Sequence, residues 1–352
     1  GMSTAKTFAV CYTEANGGTG ATWVDTGIRL QLSKITTLEY QQFSSSFPVR
    51  SWPSSNVMPA TNRLPQVANA VVTYVGDLGN TNWLTFVDTA LQSGNPCVHG
   101  TTASAAPSSA QSGEQRAAAN SKVVTIPQST LLDATHTKVY AVCYAEGNGG
   151  ISDSTWRDSY IRVQVSKISS LHSHSITHYT DGSIARVGDL KLTYTGSLVN
   201  NMWVSLVDQT LESNFPCGTA STAAAAGDTQ HSGSLQAGAA NKVFTVDTTA
   251  LSTAKTFAVC YTDSGGDTSA SWVDTGIRLG LSKITTVQYQ QFSVSFPVRT
   301  WPSTNVMPAT NRMPNVPNGI VTFTGTLAQF KWMSLVKASL NNNNPCVSGA
   351  VA

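Results

Sequence analysis

The sequence has few charged residues and no long apolar run. Asp, Glu, Lys and Arg make up 11% of the 352 residues, and the formal net charge is +2. This charged share is less than half of what soluble proteins usually carry. We find no cluster of Lys and Arg of the kind that phosphate binding needs, so nucleic acid is not expected as a partner. No apolar stretch approaches the roughly 20 residues that cross a bilayer, so no membrane span is predicted.

Signals for processing and modification are also missing. The opening letters GMSTAKTFAV have neither the basic start nor the apolar centre of a signal peptide. If the protein is secreted, its leader has been removed or the chain is a fragment. The sequence has no Asn-x-Ser/Thr sequon, so N-linked glycans are not expected. Ser and Thr number 85, however, which leaves many hydroxyls for covalent O-glycans in the linkers and Pro-rich loops.

An internal repeat is the main feature that is present. The string STAKTFAVCYT occurs at 3–13 and again at 252–262, with the looser copy THTKVYAVCYA at 135–145. A constant offset also relates Trp23 to Trp272, and the ending Asn-Pro-Cys closes both outer copies. Internal duplication explains this pattern, and the order of the modules is A, B, A.

Apolar residues alternate with period two within each module, as in FAVCY and IRLQL. Gly and Asn clusters separate these runs as turns, and no helix of ten residues or more is indicated. The sequence therefore predicts an all-β chain of three tandem immunoglobulin-like antiparallel β-sandwich modules joined by Ala/Ser/Thr-rich linkers.

The repeats predict five segments. Module 1 spans 1–98 and lacks a leading strand, module 2 spans 120–217, and module 3 spans 241–352. The linkers are 99–119 and 218–240, because their Ala, Ser, Thr and Gly residues cannot bury enough apolar surface to form a core.

Two further strand-like runs follow the linkers, although there are three modules. The runs consist of Lys122, Val123, Val124, Thr125 and Ile126, and of Lys242, Val243, Phe244, Thr245 and Val246. If each run belongs to the module after it, module 1 lacks its first strand; if each belongs to the module before it, module 3 is unfinished. A strand from another copy would close the open edge and give a head-to-tail polymer. The alternative is a fragment of a longer repeat array.

The six cysteines occur as one pair per module. We expect disulfides Cys11–Cys97, Cys143–Cys217 and Cys260–Cys346. Disulfides of this kind persist in oxidising surroundings, so the sequence predicts an extracellular or cell-surface protein.

Module 2 has three histidines in LHSHSITH: His172, His174 and His178. His172 and His174 have the spacing of two ligands on one strand face, but module 1 has Glu39 and Gln41 at these places. A solvated strand face is therefore favoured over a metal site, and no metal or other cofactor is predicted.

Each outer module has a Pro-rich loop. Arg50 with Trp52, and Arg299 with Trp301, could anchor a neighbouring subunit or stack on a sugar ring. Alternatively the loop folds back and its Trp completes the core of its own module.

The motif W-x-D-x-x-I-R occurs once in each module and predicts a structural ion pair between its Asp and Arg. No second acid, nucleophile or histidine recurs beside it, so the chain is not expected to be an enzyme.

The strings AVCYAEGNGG and STWRDSYIRVQVSKI resemble tandem β-sandwich repeats of secreted, fibre-forming glycoproteins of algae and other protists. The resemblance implies a heavily O-glycosylated structural protein outside the cell and, if the source is algal, hydroxylation of some loop prolines. The expected function is a structural subunit of an extracellular fibril or surface layer, a homopolymer assembled head to tail by strand complementation. The alternative is a monomeric or cell-anchored adhesin that binds carbohydrate.

Overall fold

The fold is all-β and is seen in a computed structural model. The structure describes residues 2–42, 45–49, 63–128, 130–135, 137–173, 176–178, 182–289, 294–297, 313–343, 345–346 and 349–352. Arg50, Trp52, Arg299, Trp301 and His174 lie outside these residues, so the predictions made for them stay predictions.

The first complete sandwich, sandwich 1, has two sheets. Its first sheet has the order β4-β3-β6-β9, and its second has the order β5-β11-β10-β7-β8. The strands are β3 (Ile35–Gln42), β4 (Ser45–Val49), β5 (Arg63–Pro65), β6 (Ala70–Gly76), β7 (Trp83–Asp88), β8 (Gln115–Arg116), β9 (Val123–Ile126), β10 (Tyr140–Ala145) and β11 (Arg157–Ser166). Alternate side chains of the facing strands, such as Val72, Tyr74 and Phe86, are fully buried between the sheets.

Sandwich 2 repeats this arrangement. Its sheets have the orders β13-β12-β15-β18 and β14-β20-β19-β16-β17. The strands are β12 (Ile168–Ser173), β13 (Ile176–His178), β14 (Gly182–Ile184), β15 (Leu190–Gly196), β16 (Trp203–Asp208), β17 (Leu235–Gln236), β18 (Val243–Val246), β19 (Thr256–Thr262) and β20 (Val273–Leu281). Leu192, Tyr194 and Leu206 form part of its core.

The two ends of the chain each contain part of a sandwich. At the amino-terminal end, β1 (Thr7–Tyr12) and β2 (Val24–Gln31) form a two-stranded sheet that no other described strand joins; we call them the donor hairpin. At the carboxy-terminal end, β21 (Ile284–Tyr289), β22 (Val294–Pro297) and β23 (Val321–Gly325) form a three-stranded sheet. We call this sheet and residues 326–343 and 345–346 the acceptor half. Among the described residues, no second sheet faces it.

The sandwiches therefore do not coincide with the predicted modules 1–98, 120–217 and 241–352. Sandwich 1 joins the second half of module 1 to the first half of module 2, because β7 pairs with β10 from Tyr140↔Asp88 to Ala145↔Trp83. Sandwich 2 joins modules 2 and 3 in the same way through β16 and β19. The predicted boundaries are wrong because alternation identifies a strand but does not identify its neighbour.

The predicted linkers 99–119 and 218–240 are also integral parts of the sandwiches. Each contains a short helix, α1 (Gly100–Ala103) or α3 (Ala220–Ala223), and a short edge strand. Another short helix, α2 (Leu211–Asn214), precedes the second of them. The small side chain of Ala103 is fully buried against the outer face of the β7–β10 pair. The interpretation of these segments as linkers is wrong, because the small side chains of an Ala-rich segment pack closely against the sheet.

The two strand-like runs after these segments close sandwiches of their own chain. β9 pairs with β6, from Ala70↔Ile126 to Thr73↔Val123, and β18 pairs with β15. Lys122 and Lys242 immediately precede them and donate through Nζ to the Gly76 and Gly196 carbonyls. Each run thus belongs to the module before it and is not donated to another copy. The acceptor half has no counterpart of these strands among its described residues.

The three predicted disulfides are wrong. The bonds are Cys97–Cys143 and Cys217–Cys260, with Cα–Cα distances of 5.3 and 5.5 Å. Cys11 and Cys346 are thiols and are exposed. The pairing follows the sandwiches: each bond joins the segment after one central strand to the middle of the strand beside it.

No helix in the described part of the chain is both long and apolar enough to cross a membrane.

Candidate assembly interface

The donor hairpin exposes apolar side chains whose equivalents are core residues elsewhere. Ile28 is 54% exposed, whereas Ile161 and Ile277, at the same place in sandwiches 1 and 2, are 0% and 4% exposed. Leu30, Trp23 and Tyr12 are about half exposed in the same way. A row of large apolar side chains on a two-stranded hairpin is typical of a surface that another chain covers.

The backbone of the donor hairpin already has the geometry of its buried equivalents. In β1–β2 the register shifts between Ala9 and Cys11, and Cys11 then lies opposite Asp25. The same one-residue irregularity lies between Ala141 and Cys143 in sandwich 1, and sandwich 2 repeats it. The hairpin is therefore preorganised in the shape that a complete sandwich uses.

An ion pair fixes the start of each of these strands, as the sequence predicted. Arg29 donates through both terminal nitrogens to the two carboxylate oxygens of Asp25, at 2.8 and 2.7 Å. The Arg29 hydrogen bonds and that from the Gly27 N–H lower the pKa of Asp25 to about 2. Asp158–Arg162 and Asp274–Arg278 repeat this bidentate pair at 2.7 to 2.8 Å, but they are largely shielded from solvent.

The acceptor half exposes the complementary surface. Trp332 is 99% and Leu335 is 77% exposed, and segment 332–336 pairs with no strand within the described part of the chain. The equivalent segments are β7 and β16, the central strands of the second sheets, where Leu84, Phe86 and Leu206 are fully buried. The turn before the segment has the same backbone in all three copies: Thr81, Asn201 and Phe330 have φ values of 65°, 65° and 59°. The turn that leads into the segment therefore has the backbone that precedes the central strand in both complete sandwiches.

In each complete sandwich, the lysine just before the first strand of the first sheet contacts a hairpin of the second sheet. Lys34 N–H donates to the Tyr144 hydroxyl at 3.2 Å, and Lys34 Nζ lies 2.6 Å from Glu146 Oε2. In sandwich 2, Lys167 contacts Tyr261 and Asp263 in the same way. The third member of this series is Lys283, and the third pair of partners is Tyr12 and Glu14, which lie on the donor hairpin.

The contact between sandwiches 1 and 2 contains a buried charge. Arg63 on β5 donates through Nε to the Asp274 carbonyl on β20 at 2.6 Å. Burial lowers the pKa of Arg63 to about 10, and Asp274 opposes this shift by its charge. A cavity of about 170 Å³ lined by Arg63, Gln164 and Trp272 adjoins the contact. Consecutive sandwiches thus touch directly through β5 and β20.

The histidine cluster is not assembled as a site among the described residues. His172 lies on β12 opposite Thr177, and its Nε2 is 3.0 Å from the Ser170 hydroxyl; burial lowers its pKa. His178 pairs with Leu171, so it is not the cross-strand neighbour of His172. In the described residues no three His, Cys, Asp or Glu side chains are grouped so that they could hold a metal ion.

Sequence reasoning missed the donor hairpin and segment 332–336 as functional surfaces. Two signals in the sequence could have identified them. Each has two further copies along the chain, and there are three modules but only two closing strands.

Neither a protein-family model nor a curated protein matches the sequence. Solved structures with weak overall similarity include Drosophila N-cadherin EC1-3, at 10% identity, 64% coverage of this chain and a TM-score of 0.19. The chain spans 65% of the length of that cadherin fragment. Mouse cadherin-23 EC22-24 has 11% identity and a TM-score of 0.16, with 78% of this chain and 74% of that chain covered.

Proposed function

We propose that this chain is a structural subunit of an extracellular fibril or surface layer, assembled head to tail by β-strand complementation. The donor hairpin of one copy pairs through β1 with segment 332–336 of the next. In sandwich 1 the equivalent hairpin, β10 and β11, pairs through β10 with β7. One observation carries the proposal: the residues exposed at the two ends are the third copies of residues that are buried together twice within the chain.

The internal pairings give the register of the proposed junction. Since Val142 lies opposite Phe86 and Cys143 opposite Thr85 in sandwich 1, Val10 would lie opposite Leu335 and Cys11 opposite Ser334. Ile28 and Leu30 would then face the inner side of the β21–β23 sheet. In each complete sandwich the matching residues of β11 and β20 belong to the core.

The exposed apolar side chains of both surfaces favour this association. Five side chains, Tyr12, Trp23, Ile28, Trp332 and Leu335, are half to fully exposed in the single chain. Burying a fully exposed side chain of this kind contributes roughly 1.5 to 3 kcal/mol, and since three of the five are already half buried, the sum is about 5 to 10 kcal/mol before the cost of association is subtracted.

The two surfaces differ, so the contact is heterologous. A heterologous contact generates a closed ring or an open filament, depending on the rotation that it imposes. We propose the open filament, which electron microscopy distinguishes from a ring. The growing ends remain available, because each added copy brings a new unoccupied surface.

The extracellular location and the O-glycans are part of this proposal. Two disulfides in one chain support an oxidising environment. The 85 Ser and Thr residues and the low charge support a glycosylated surface.

Complementary full-length variants test the assembly. Ile28→Asp combined with Leu30→Asp damages the donor hairpin and leaves the acceptor half intact. Leu335→Asp damages the acceptor and leaves the donor intact. We expect each variant alone to be monomeric in analytical ultracentrifugation, and an equimolar mixture to give a dimer that does not grow further, while the wild type forms filaments in electron microscopy.

Val199→Asp is the matched control, since Val199 is 60% exposed on sandwich 2 and distant in sequence from both surfaces. It should leave filaments intact. A mixture of the two damaged variants that stays monomeric, or a wild type that remains dispersed at every concentration, would contradict the proposal.

A further inference from the structure

Two of the six cysteines differ from the other four. Cys97, Cys143, Cys217 and Cys260 are buried in disulfides, whereas Cys11 and Cys346 are exposed thiols. They lie on the two surfaces of the proposed junction, one on the donor hairpin and one in the acceptor half. Their places can be compared with the two bonds that the chain forms internally.

In each internal disulfide, one cysteine lies in the middle of a strand, and Cys11 is the equivalent of that cysteine. It lies between a valine and a tyrosine in the middle of β1, as Cys143 does in β10 and Cys260 does in β19. The irregularity one residue earlier, and the Asp opposite, are also shared. The backbone that carries the Cys11 thiol is therefore the one that carries a disulfide in both complete sandwiches.

Cys346 has the place of the other cysteine. A short turn at Leu340–Asn343 precedes it, as Leu91–Gly94 precedes Cys97 and α2 precedes Cys217. A proline stands directly before the cysteine in all three copies. In the complete sandwiches this segment turns back across the outer face of the central strand and reaches the cysteine of the neighbouring strand.

We propose that Cys346 of one copy and Cys11 of the next form an intermolecular disulfide that locks each junction. The proposal rests on the proposed function, because only strand complementation brings the two residues together. The internal bonds give the expected spacing, with Cα atoms 5.3 and 5.5 Å apart, within the range that a disulfide spans. The filament is then a covalent chain of subunits.

The bond forms by thiol–disulfide exchange with a disulfide oxidant, either a small-molecule disulfide or a protein disulfide of the secretory route. The thiolate of one cysteine attacks a sulfur of the oxidant and releases one thiol. The second cysteine thiolate then attacks the mixed disulfide and releases the other thiol. The two cysteines lose two electrons in total, the oxidant becomes two thiols, and the two cysteine protons end on those thiols.

The test uses full-length chains assembled with glutathione disulfide, with free thiols alkylated before non-reducing electrophoresis. We expect wild type to give a ladder of multiples of 37.1 kDa that collapses to one band after reduction. Peptide mapping of the ladder should yield a Cys11–Cys346 linkage. Cys11→Ser alone and Cys346→Ser alone should each give only the single band, whereas their mixture should give a disulfide dimer and no larger species.

The outcomes separate this inference from the proposed function. Filaments in electron microscopy without any intermolecular disulfide would overturn the covalent junction and leave strand complementation standing. Absence of both filaments and ladder would overturn both proposals. A dimer formed by either serine variant alone would show bonds between identical cysteines, and this too would overturn the inference.

Discussion

The indole of Trp83 lies directly on Gly149, so close that a methyl group at position 149 would overlap the ring. Trp203 lies on Gly266 in the same way in sandwich 2. The third members of these pairs are Trp332, which is 99% exposed, and Gly17, which has nothing within 4 Å of the position of an added Cβ. The contact between Trp and Gly therefore forms twice within the chain. In the third copy the Trp lies in the acceptor half and the Gly lies in the donor hairpin.

Gly17→Asn should therefore block assembly without unfolding the single chain. Gly17 has φ +73°, a left-handed conformation that Asn tolerates better than other side chains do. The added side chain meets open space in the monomer but occupies the place of the incoming indole. Sedimentation should show loss of filaments with an unchanged melting temperature. Gly20→Asn, also in open space, is the control; filaments that survive Gly17→Asn would argue against this packing.

Lys337→Asp should strengthen assembly. Asp88 and Asp208 end the equivalent strands and form ion pairs with Lys138 and Lys255. Lys337 stands at the same place, and Lys6 of the incoming hairpin matches Lys138, so the proposed junction brings two like charges together. The substitution replaces repulsion with attraction. An exposed pair of this kind contributes about 0.2 to 1 kcal/mol, so the Kd should fall by a factor between about 1.4 and 5.

The dependence of assembly on salt concentration tests the same charge contact at Lys337. Wild-type assembly should tighten between low and physiological ionic strength, since screening weakens the repulsion, while Lys337→Asp should lose this dependence or reverse it. Lys331→Asp changes the net charge equally at another exposed position and serves as the control. Equal effects of the two substitutions would indicate that only net charge matters.

Asp208→Asn should destabilise sandwich 2 at neutral pH and have little effect in acid. Burial alone would raise the pKa of Asp208, but hydrogen bonds from Lys255, Thr210 and Gln230 lower it to about 2. Because the pKa is lower in the folded state, the charged carboxylate stabilises the fold above about pH 4, and this contribution disappears as the pH falls toward 2.

A shift of this size corresponds to about 2 kcal/mol. Urea unfolding followed by tryptophan fluorescence should therefore show that deficit for Asp208→Asn at pH 7 and almost none at pH 2. Asp189→Asn, at an exposed position, should change stability little at either pH. A deficit that stays constant from pH 7 to pH 2 would contradict the electrostatic explanation.

The sequence predicted the strands but not their partners. Alternation at FAVCY, IRLQL and VTYVG identifies β1, β2 and β6, and the tandem repeat identifies the sandwich architecture. The alternation is the same if each domain boundary is shifted by half a module. It therefore does not decide whether β10 pairs with a strand before it or after it in the chain. The structure closes each domain across the predicted boundary.

The cysteines show the same limit. One pair per repeat correctly indicated disulfides, but each cysteine has a candidate partner on either side in a tandem array. The strand pairing Cys143↔Thr85 selects Cys97, and the pairing Cys260↔Ser205 selects Cys217. The loop residues Arg50, Trp52, Arg299 and Trp301 lie outside the described residues, and the prediction that they contact a neighbour or a sugar remains open.

The central claim is that segment 332–336 of one copy becomes a paired strand beside β1 of the next. Amide hydrogen exchange measured by mass spectrometry at low and high protein concentration tests it most directly. We predict that peptides covering 332–336 and Thr7–Tyr12 exchange rapidly in dilute chains and become protected together in filaments, while β7 and β16 stay protected throughout. Filaments in which 332–336 still exchange as rapidly as in the dilute chain would contradict the account.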